Sequence, residues 1–191
     1  MGLGNVGSLC QCLLKLNKPF TIITEPDFSE CSQLLFPGVG NFGKAAEILD
    51  QGWREPLVNW TTSGKSLLGI CLGFQLLFEG STESPKAKGL GLFDAQCEQV
   101  PSRKIPHMGW NQIQHCGEMS AEFDKAWMYF VHSYATPVIE ETIFTAQDGS
   151  EKFSAAVWKE GVGGFQFHPE KSSEAGQVIL NNFLERALET C

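Results

Sequence analysis

The residue types best suited to chemistry are concentrated in two short segments. The first is Leu68-Gly69-Ile70-Cys71-Leu72-Gly73-Phe74-Gln75. An apolar run ends there, a helical pattern begins, and a cysteine occupies the junction between two nearby glycines. This is the G-x-C-x-G form of a nucleophile elbow, a sharp strand-to-helix turn whose neighbours must lack bulk. Such a turn presents the sulfur at the carboxyl edge of a sheet. The helix N-terminus then favours a thiolate, and the next amide N–H is free to bind an oxyanion. The second segment is Phe167-His168-Pro169-Glu170, directly after another apolar run. Strand ends are where α/β sites collect their residues. His168 is placed to carry a proton for the sulfur, and Glu170 to accept from the imidazole and fix its tautomer. The order nucleophile, histidine, carboxylate differs from that of serine hydrolases, but geometry decides, not order.

Those two segments need a scaffold, and the pattern supplies one. Leu9, Cys12, Leu13 and Leu16 repeat as one apolar helix face. Pro19 to Thr24 reads as a short strand, and Leu34-Leu35-Phe36 as another, ended by Pro37-Gly38. A helix through Ala45, Ile48 and Leu49 stops at Gly52, and a second covers Pro56 to about Trp60. Ser66 to Ile70 is apolar enough to be buried on both faces of a parallel sheet. Leu72 to Phe78 returns to helix. This alternation predicts an α/β fold with a mostly parallel, doubly wound sheet flanked by helices. From Gly89 to Phe167 short β-branched and aromatic runs take over: Met128–Val131, Thr142–Thr145, Ala155–Trp158 and Gly164–Phe167. Turn signals at Asp148-Gly149 and Glu160-Gly161 separate them, which predicts an added antiparallel region beside the main sheet. The C-terminus is one amphipathic helix with Ile179, Phe183, Leu184, Ala187 and Leu188 on its apolar side. Ser172 or Ser173 is its N-cap candidate, with Glu174 in the first turn. With no internal repeat, low-complexity stretch or linker, residues 1–191 read as a single domain.

Composition removes several function classes. The 191 residues carry 14 Lys+Arg against 22 Asp+Glu, a net charge of −8. Nucleic-acid binding needs a basic stripe that this balance does not offer. No apolar run approaches the length of a membrane span, and no secretory signal opens the chain, so a cytoplasmic location is expected. The seven cysteines are odd in number and include no C-x-x-C, which argues for reduced thiols and against a structural metal. Two segments match G-x-G-x-x-G: Gly2, Gly4, Gly7, and Gly38, Gly40, Gly43. The first has Glu25 at a fitting distance but no strand before it. The second has a strand but no following acid at the right distance. A dinucleotide site is therefore a minor alternative, and no cofactor is expected.

Cys71 in GICLGFQ, with His168 and Glu170 in FQFHPEKS, resembles the class-I glutamine amidotransferases. FPGVGNFGKA, IPHMGWN and YFVHSY narrow the resemblance to the glutaminase subunits of imidazole glycerol phosphate synthases, over nearly the whole chain. The resemblance implies that Cys71 attacks the side-chain amide of L-glutamine and forms a γ-glutamyl thioester. His168 then protonates the departing ammonia and activates the hydrolytic water, and Glu170 orients His168. The N–H of Leu72 is one oxyanion donor. The Gly38-Val39 strand supplies the second, from Val39, if its peptide turns inward. Gln75 and Glu83 match positions that hold the amino-acid head group, and Ser133 and Tyr134 line the same pocket. The implied partner is a (β/α)8 cyclase/synthase subunit in a heterodimer, which receives the ammonia. Asn5, Tyr129 and Lys171 match positions facing it, and Met108 and Trp110 lie in a segment that packs there.

Two departures from the resemblance stand out. Family members begin with an apolar strand ahead of the G-x-G-N loop, whereas this sequence starts within that loop. A first strand of about five or six residues is therefore expected to be missing, with Met1 not the natural start. Phe74 also stands where a methionine is common, behind the nucleophile. The alternatives are a paralogous glutaminase feeding a related barrel synthase in surface-sugar biosynthesis, the dinucleotide module, and a catalytically dead scaffold subunit. The last is disfavoured by the intact triad and Gln75.

Overall fold

The computed structural model describes residues 6–101, 105–116 and 120–189, with side chains as far as Arg186. Asn5, Gly2 and Gly4 lie outside the described residues, as do the side chains of Ala187 and Leu188.

A six-stranded sheet sets the frame. β1 (Gln33–Gly38) runs parallel to β2 (Ser66–Cys71), and β11 (Val162–Phe165) runs parallel to β2 on its other side. Flanked on both edges and covered on both faces, β2 is buried at every position. That explains its continuous apolar run. Beyond β11 the sheet turns antiparallel through β10 (Glu151–Lys159) and β9 (Thr142–Asp148), and ends at β6 (Gln114–His115). Glu160 and Gly161 both have positive φ, 48° and 83°, as a tight hairpin turn between β10 and β11 requires. The antiparallel strands expected beside the main sheet are thus its continuation, and only half of that sheet is parallel.

Two apolar cores lie against this sheet. α1 (Gly7–Lys15) and α5 (Ser173–Glu189) bury Leu9, Cys12, Leu13, Ile179, Leu180, Phe183 and Leu184 with Leu68 and Ile70 in one of them. α2 (Phe42–Ile48), a π-type turn (Leu49–Trp53) and α3 (Arg54–Thr62) enclose the other, with Leu34, Phe36 and Leu67. Asn41 caps α2 by accepting from the Lys44 N–H at 3.1 Å. Gly52, at φ 94°, breaks the helical path between α2 and α3. α4 (Leu72–Gln75) follows β2. β3 (Phe78–Ser81), β4 (Phe93–Gln99) and β8 (Tyr134–Ala135) form a small second sheet. β5 (His107–Gln112) and β7 (Trp127–His132) form a two-stranded antiparallel ribbon.

Three expectations are corrected. Pro19 to Thr24 forms no strand, and its Phe20 and Ile22 stay at the surface. An extended segment becomes a strand only against a partner edge, and among the described residues the six-stranded sheet ends at β1. That edge position also lets β1 run on through Pro37 to Gly38, where an expected stop was placed, because a proline is tolerated on an edge strand. Finally, the helix after Cys71 is one turn, not Leu72 to Phe78. The Leu90 and Leu92 N–H groups take the carbonyls of Leu76 and Leu77 at 2.7 and 2.8 Å, which draws the chain into β3. The first strand expected ahead of Gly2 falls outside the described residues.

Candidate active site

The elbow is built by close approach of backbone. Cys71 sits at φ 55°, ψ −112°, a strained conformation for a residue with a Cβ. β1 and β2 pair in register until Gly38 lies opposite Cys71, which brings the Gly38-Val39 segment alongside the sulfur. A Cβ on Gly73 would lie 1.7 Å from the Phe36 carbonyl oxygen, and one on Gly69 would lie 2.6 Å from the Phe74 Cα. One on Gly164, from β11, would lie 2.2 Å from the Gly69 oxygen. Three backbones therefore meet beneath the cysteine at distances only glycine allows. Leu72 opens α4, so its N–H has no intrahelical acceptor. The helix is too short for the dipole support expected of it, and the turn's amide is what it offers instead.

The end of β11 brings in the second segment. His168 Nδ1 lies 2.8 Å from Glu170 Oε1, and both side chains are almost wholly buried. Burial lowers the imidazole pKa, but the Cys71 sulfur and the Glu170 carboxylate outweigh it and hold His168 at about 9. Its Nε2 is buried and has no conventional hydrogen-bond partner. With Nδ1 committed to Glu170, Nε2 is the nitrogen left for the sulfur. Cys71 at the end of β2 and the His168–Glu170 pair just past β11 thus lie together at one edge of the sheet.

Backbone bonds fix this histidine to β7. The His168 N–H donates to the Tyr129 carbonyl at 2.9 Å, the Tyr129 N–H donates to Ser172 Oγ at 2.9 Å, and Ser172 Oγ–H donates to the His168 carbonyl at 2.6 Å. β7 reaches the nucleophile too, with Cys71 Sγ 3.9 Å from the Val131 carbonyl. The sequence reading assigned Ser172 only to a helix cap. Its second duty arises from β7, a strand about 40 positions upstream, and a serine four residues past the histidine was the available signal.

The remaining candidates fall in two groups. Gln75 Nε2 donates to the Tyr134 carbonyl at 2.7 Å and to Gln166 Oε1 at 2.9 Å, so α4, β8 and the end of β11 are tied beside the elbow. Gln166 is fully buried and was not anticipated. The Ser133 carbonyl accepts from Val100 N–H at 3.0 Å and anchors the same turn. Glu83 Oε2 accepts from the Phe42 N–H at 2.6 Å, which fixes the start of α2 just past Val39. Val39 is half exposed, and Gly40 after it takes φ 112°. The second G-x-G-x-x-G match is filled by the chain itself: Gly38 packs on Leu72 and Gly73, and Gly43 on Ser84.

The second group lies on the outer face of the ribbon. Register places Met108 opposite Val131, Trp110 opposite Tyr129, and Gln112 opposite Trp127. Met108, Trp110 and Trp127 are 61%, 47% and 54% exposed, an apolar stripe on one face. Trp127 was not anticipated. Lys171, also exposed, is adjacent to the His168–Glu170 pair in sequence. Among the described residues no His, Cys, Asp and Glu group could hold a metal, no helix is long and apolar enough to cross a membrane, and the cysteines are free thiols.

Comparison with known proteins agrees with this geometry. The family profile "Glutamine amidotransferase class-I" matches residues 2–187. The chain is 44% identical over 193 aligned residues to imidazole glycerol phosphate synthase subunit HisH of Prochlorococcus marinus, covering 96% of this chain and 90% of that one. It is 41% identical to the HisH subunit of Desulfitobacterium hafniense, over 95% of this chain and 90% of that one. Among solved structures, a crystal structure of a glutamine amidotransferase superposes with a TM-score of 0.79 at 17% identity, over 97% and 95% of the two chains. PurLQS from Thermotoga maritima superposes with a TM-score of 0.73 at 18% identity, over 96% and 94%. At such identities these two share the fold.

Proposed function

The chain belongs to the class-I glutamine amidotransferase family, and we propose that it is the glutaminase subunit of an imidazole glycerol phosphate synthase, acting in histidine biosynthesis. The observation that carries the chemistry is a buried imidazole, locked to Glu170 at 2.8 Å, facing a sulfur held at a strained elbow. HisH relatives at 41–44% identity supply the pathway. Residues 1–191 form one amidotransferase domain.

Catalysis follows from the placement of the groups. The Cys71 sulfur attacks the side-chain amide carbon of L-glutamine, and the carbonyl oxygen gains negative charge. The Leu72 N–H receives that charge from one side. The Val39 N–H receives it from the other when its peptide turns inward, which the glycines at 38 and 40 permit. As the C–N bond breaks, His168 gives its proton to the leaving nitrogen and ammonia departs, leaving a γ-glutamyl thioester. The now neutral imidazole takes a proton from water, whose oxygen attacks the thioester. Collapse of that adduct releases glutamate and restores the sulfur and the imidazolium. Glu170 keeps Nδ1 protonated throughout, so that Nε2 always faces the reaction. Gln75, Glu83, Ser133 and Tyr134 hold the amino-acid head group. A cytoplasmic location suits a nucleophile that must stay a free thiol.

The ammonia goes to a (β/α)8 synthase subunit seated over the ribbon, against Met108, Trp110, Tyr129 and Lys171. The deciding experiment mixes the chain with such a subunit and its ribonucleotide substrate. Glutamine hydrolysis is expected to rise by about 10²–10³, the worth of one oxyanion donor brought into place. Equal rates with and without the partner would sink this reading. Cys71→Ala complexes should make no product from glutamine yet still make it from ammonium salt.

A further inference from the structure

Two histidines unused by the glutaminase chemistry, His132 buried and His107 half-buried, face each other across the ribbon. His107 and His132 are register partners on the inner face of β5 and β7, packed among Phe130 and Phe153. Their hydrogens have one consistent placement. His132 Nδ1 lies 3.0 Å from the Tyr134 carbonyl, which only accepts, so Nδ1 carries the hydrogen. Burial first, then the neighbouring His107, pushes the His132 pKa down to about 3, so the ring is neutral and its Nε2 must accept. The group 3.1 Å from Nε2 is His107 Nδ1, which therefore donates. Asp148 Oδ2, 4.0 Å from that same nitrogen, is too far to compete for its hydrogen. Burial also lowers the His107 pKa against the pull of Asp148, so His107 Nε2 is a lone pair, and Asn111 Nδ2 stands 3.4 Å from it. The second amide hydrogen of Asn111 goes to the Gln147 carbonyl at 2.8 Å.

Donation thus runs one way, from Asn111 through His107 and His132 to the Tyr134 carbonyl. That carbonyl also accepts from Gln75 Nε2. We propose that His132, held in its Nδ1–H tautomer by His107, is a positioning residue for glutamine: it fixes the Tyr134 carbonyl, and through it the Gln75 amide beside the elbow. The proposal rests on reading Gln75 and Tyr134 as the substrate pocket. It also gives the ribbon a second task, since the strands that bear Met108 and Trp110 outside bear this chain of donors inside.

The test uses the complex with the barrel subunit. His132→Phe keeps the aromatic packing and removes both bonds. His132→Asn keeps a donor near the Nδ1 position. The glutamine KM is read beside the rate at which iodoacetamide alkylates Cys71, a reaction that needs the nucleophile but not the pocket. Loss of one buried hydrogen bond predicts about a tenfold higher KM in His132→Phe, an unchanged alkylation rate, and substantial rescue in His132→Asn. An unchanged KM, an equal fall in alkylation, or no rescue would overturn the proposal. If His132→Phe does not fold, His107→Leu asks the same question, and again an unchanged KM overturns it. Gln75→Ala separates the two layers: an unchanged KM there removes the pocket reading itself. Independently, nitrogen-15 spectra of histidine-labelled complex should show neutral Nδ1–H rings for both residues, and an Nε2–H tautomer at His132 would be fatal to the proposal.

Discussion

The elbow at Cys71 and the β5–β7 ribbon both position atoms of the proposed glutaminase site, by opposite means. Beneath Cys71 the holding is done by backbone packed on backbone. Gly69, Gly73 and Gly164 let three backbones approach to distances that exclude a Cβ, so the turn that carries the sulfur is set by close packing of backbone. Along the ribbon the holding is done by hydrogen bonds: Tyr129 with His168 and Ser172, and His132 with Tyr134. Exclusion of volume is all-or-none, since interiors do not deform continuously. Hydrogen bonds are graded, and they reach from an exposed apolar face to the buried triad. A partner that grips the ribbon can therefore adjust the histidine side of the site through these bonds, whereas the backbone turn under Cys71 lies outside the ribbon.

The largest effects are expected in the elbow. Cys71→Ala should lower glutamine hydrolysis to about 10⁻⁴ of the parent or less, because no second nucleophile faces His168. Cys71→Gly should be equally dead yet melt higher than Cys71→Ala, by about 1 kcal/mol, because glycine accepts φ 55° without strain. Equal melting of the two would show that the elbow is unstrained. Gly73→Ala should be worse than either for folding. Its Cβ would sit 1.7 Å from a backbone oxygen, so the expected loss is about 3 kcal/mol or more and a poor soluble yield. A well-folded, active Gly73→Ala protein would refute exclusion as the elbow's mode of support.

Smaller and pH-dependent effects belong to the histidine side. Glu170 is among the groups that hold His168 at about 9. In the proposed mechanism the imidazolium is the proton donor for ammonia, so kcat/KM for glutamine should fall as pH rises through about 9. In Glu170→Gln that alkaline limb should move to lower pH, with a loss of about 10²-fold in rate below it. Stability follows the same sign. Folded His168 keeps its proton to about 9, and an unfolded histidine loses it near ~6.5. The site's contribution is therefore complete below ~6.5 and lost as pH climbs toward 9. A limb that stays put in Glu170→Gln, measured by initial rates across pH, would remove Glu170 from the site.

The contrast also explains what the sequence could disclose. The elbow's signals are local: Gly69, Cys71 and Gly73 lie within five positions, and His168 and Glu170 within three, so type and spacing could single them out, whereas the share of Gly164 in the elbow appears only when β11 pairs with β2. The ribbon's bonds join residues far apart in sequence, such as Tyr129 with Ser172 and His107 with His132. Their partners appear only once β5 and β7 pair and β7 packs beside the His168–Ser172 segment. The Phe20-Ile22 segment failed as a strand for a related reason, since its apolar residues met no sheet edge. Leu72 to Phe78 was misread because an apolar run fits a helix and a buried strand equally well, and the turn at Leu76–Leu77 was set by Leu90 and Leu92 from outside the run.

The smallest expected effect is at Ser172, and it bears most directly on the comparison. Its hydroxyl is spent twice, accepting from Tyr129 N–H and donating to the His168 carbonyl, and the residue is fully buried. Ser172→Ala leaves a buried N–H without an acceptor, a penalty of about 1–3 kcal/mol, enough to let β7 and His168 drift apart. The His168–Glu170 bond does not involve Ser172, so chemistry should persist. The expected result is a severalfold lower kcat with partner, little change without it, and an unchanged KM. Ser172→Cys, close in size but a weaker donor and acceptor, should fall between. Threonine is a poor control, because Ser172 Cβ already stands where a Cβ on Gly176 would come within 2.5 Å. The informative quantity is the ratio of rates with and without the barrel subunit. Simple loss of folded protein lowers both rates alike and leaves that ratio unchanged. A reduced ratio means that Ser172 carries the ribbon's grip to the histidine. An unchanged ratio would place the coupling elsewhere and confine hydrogen-bonded positioning to the pocket side of the ribbon.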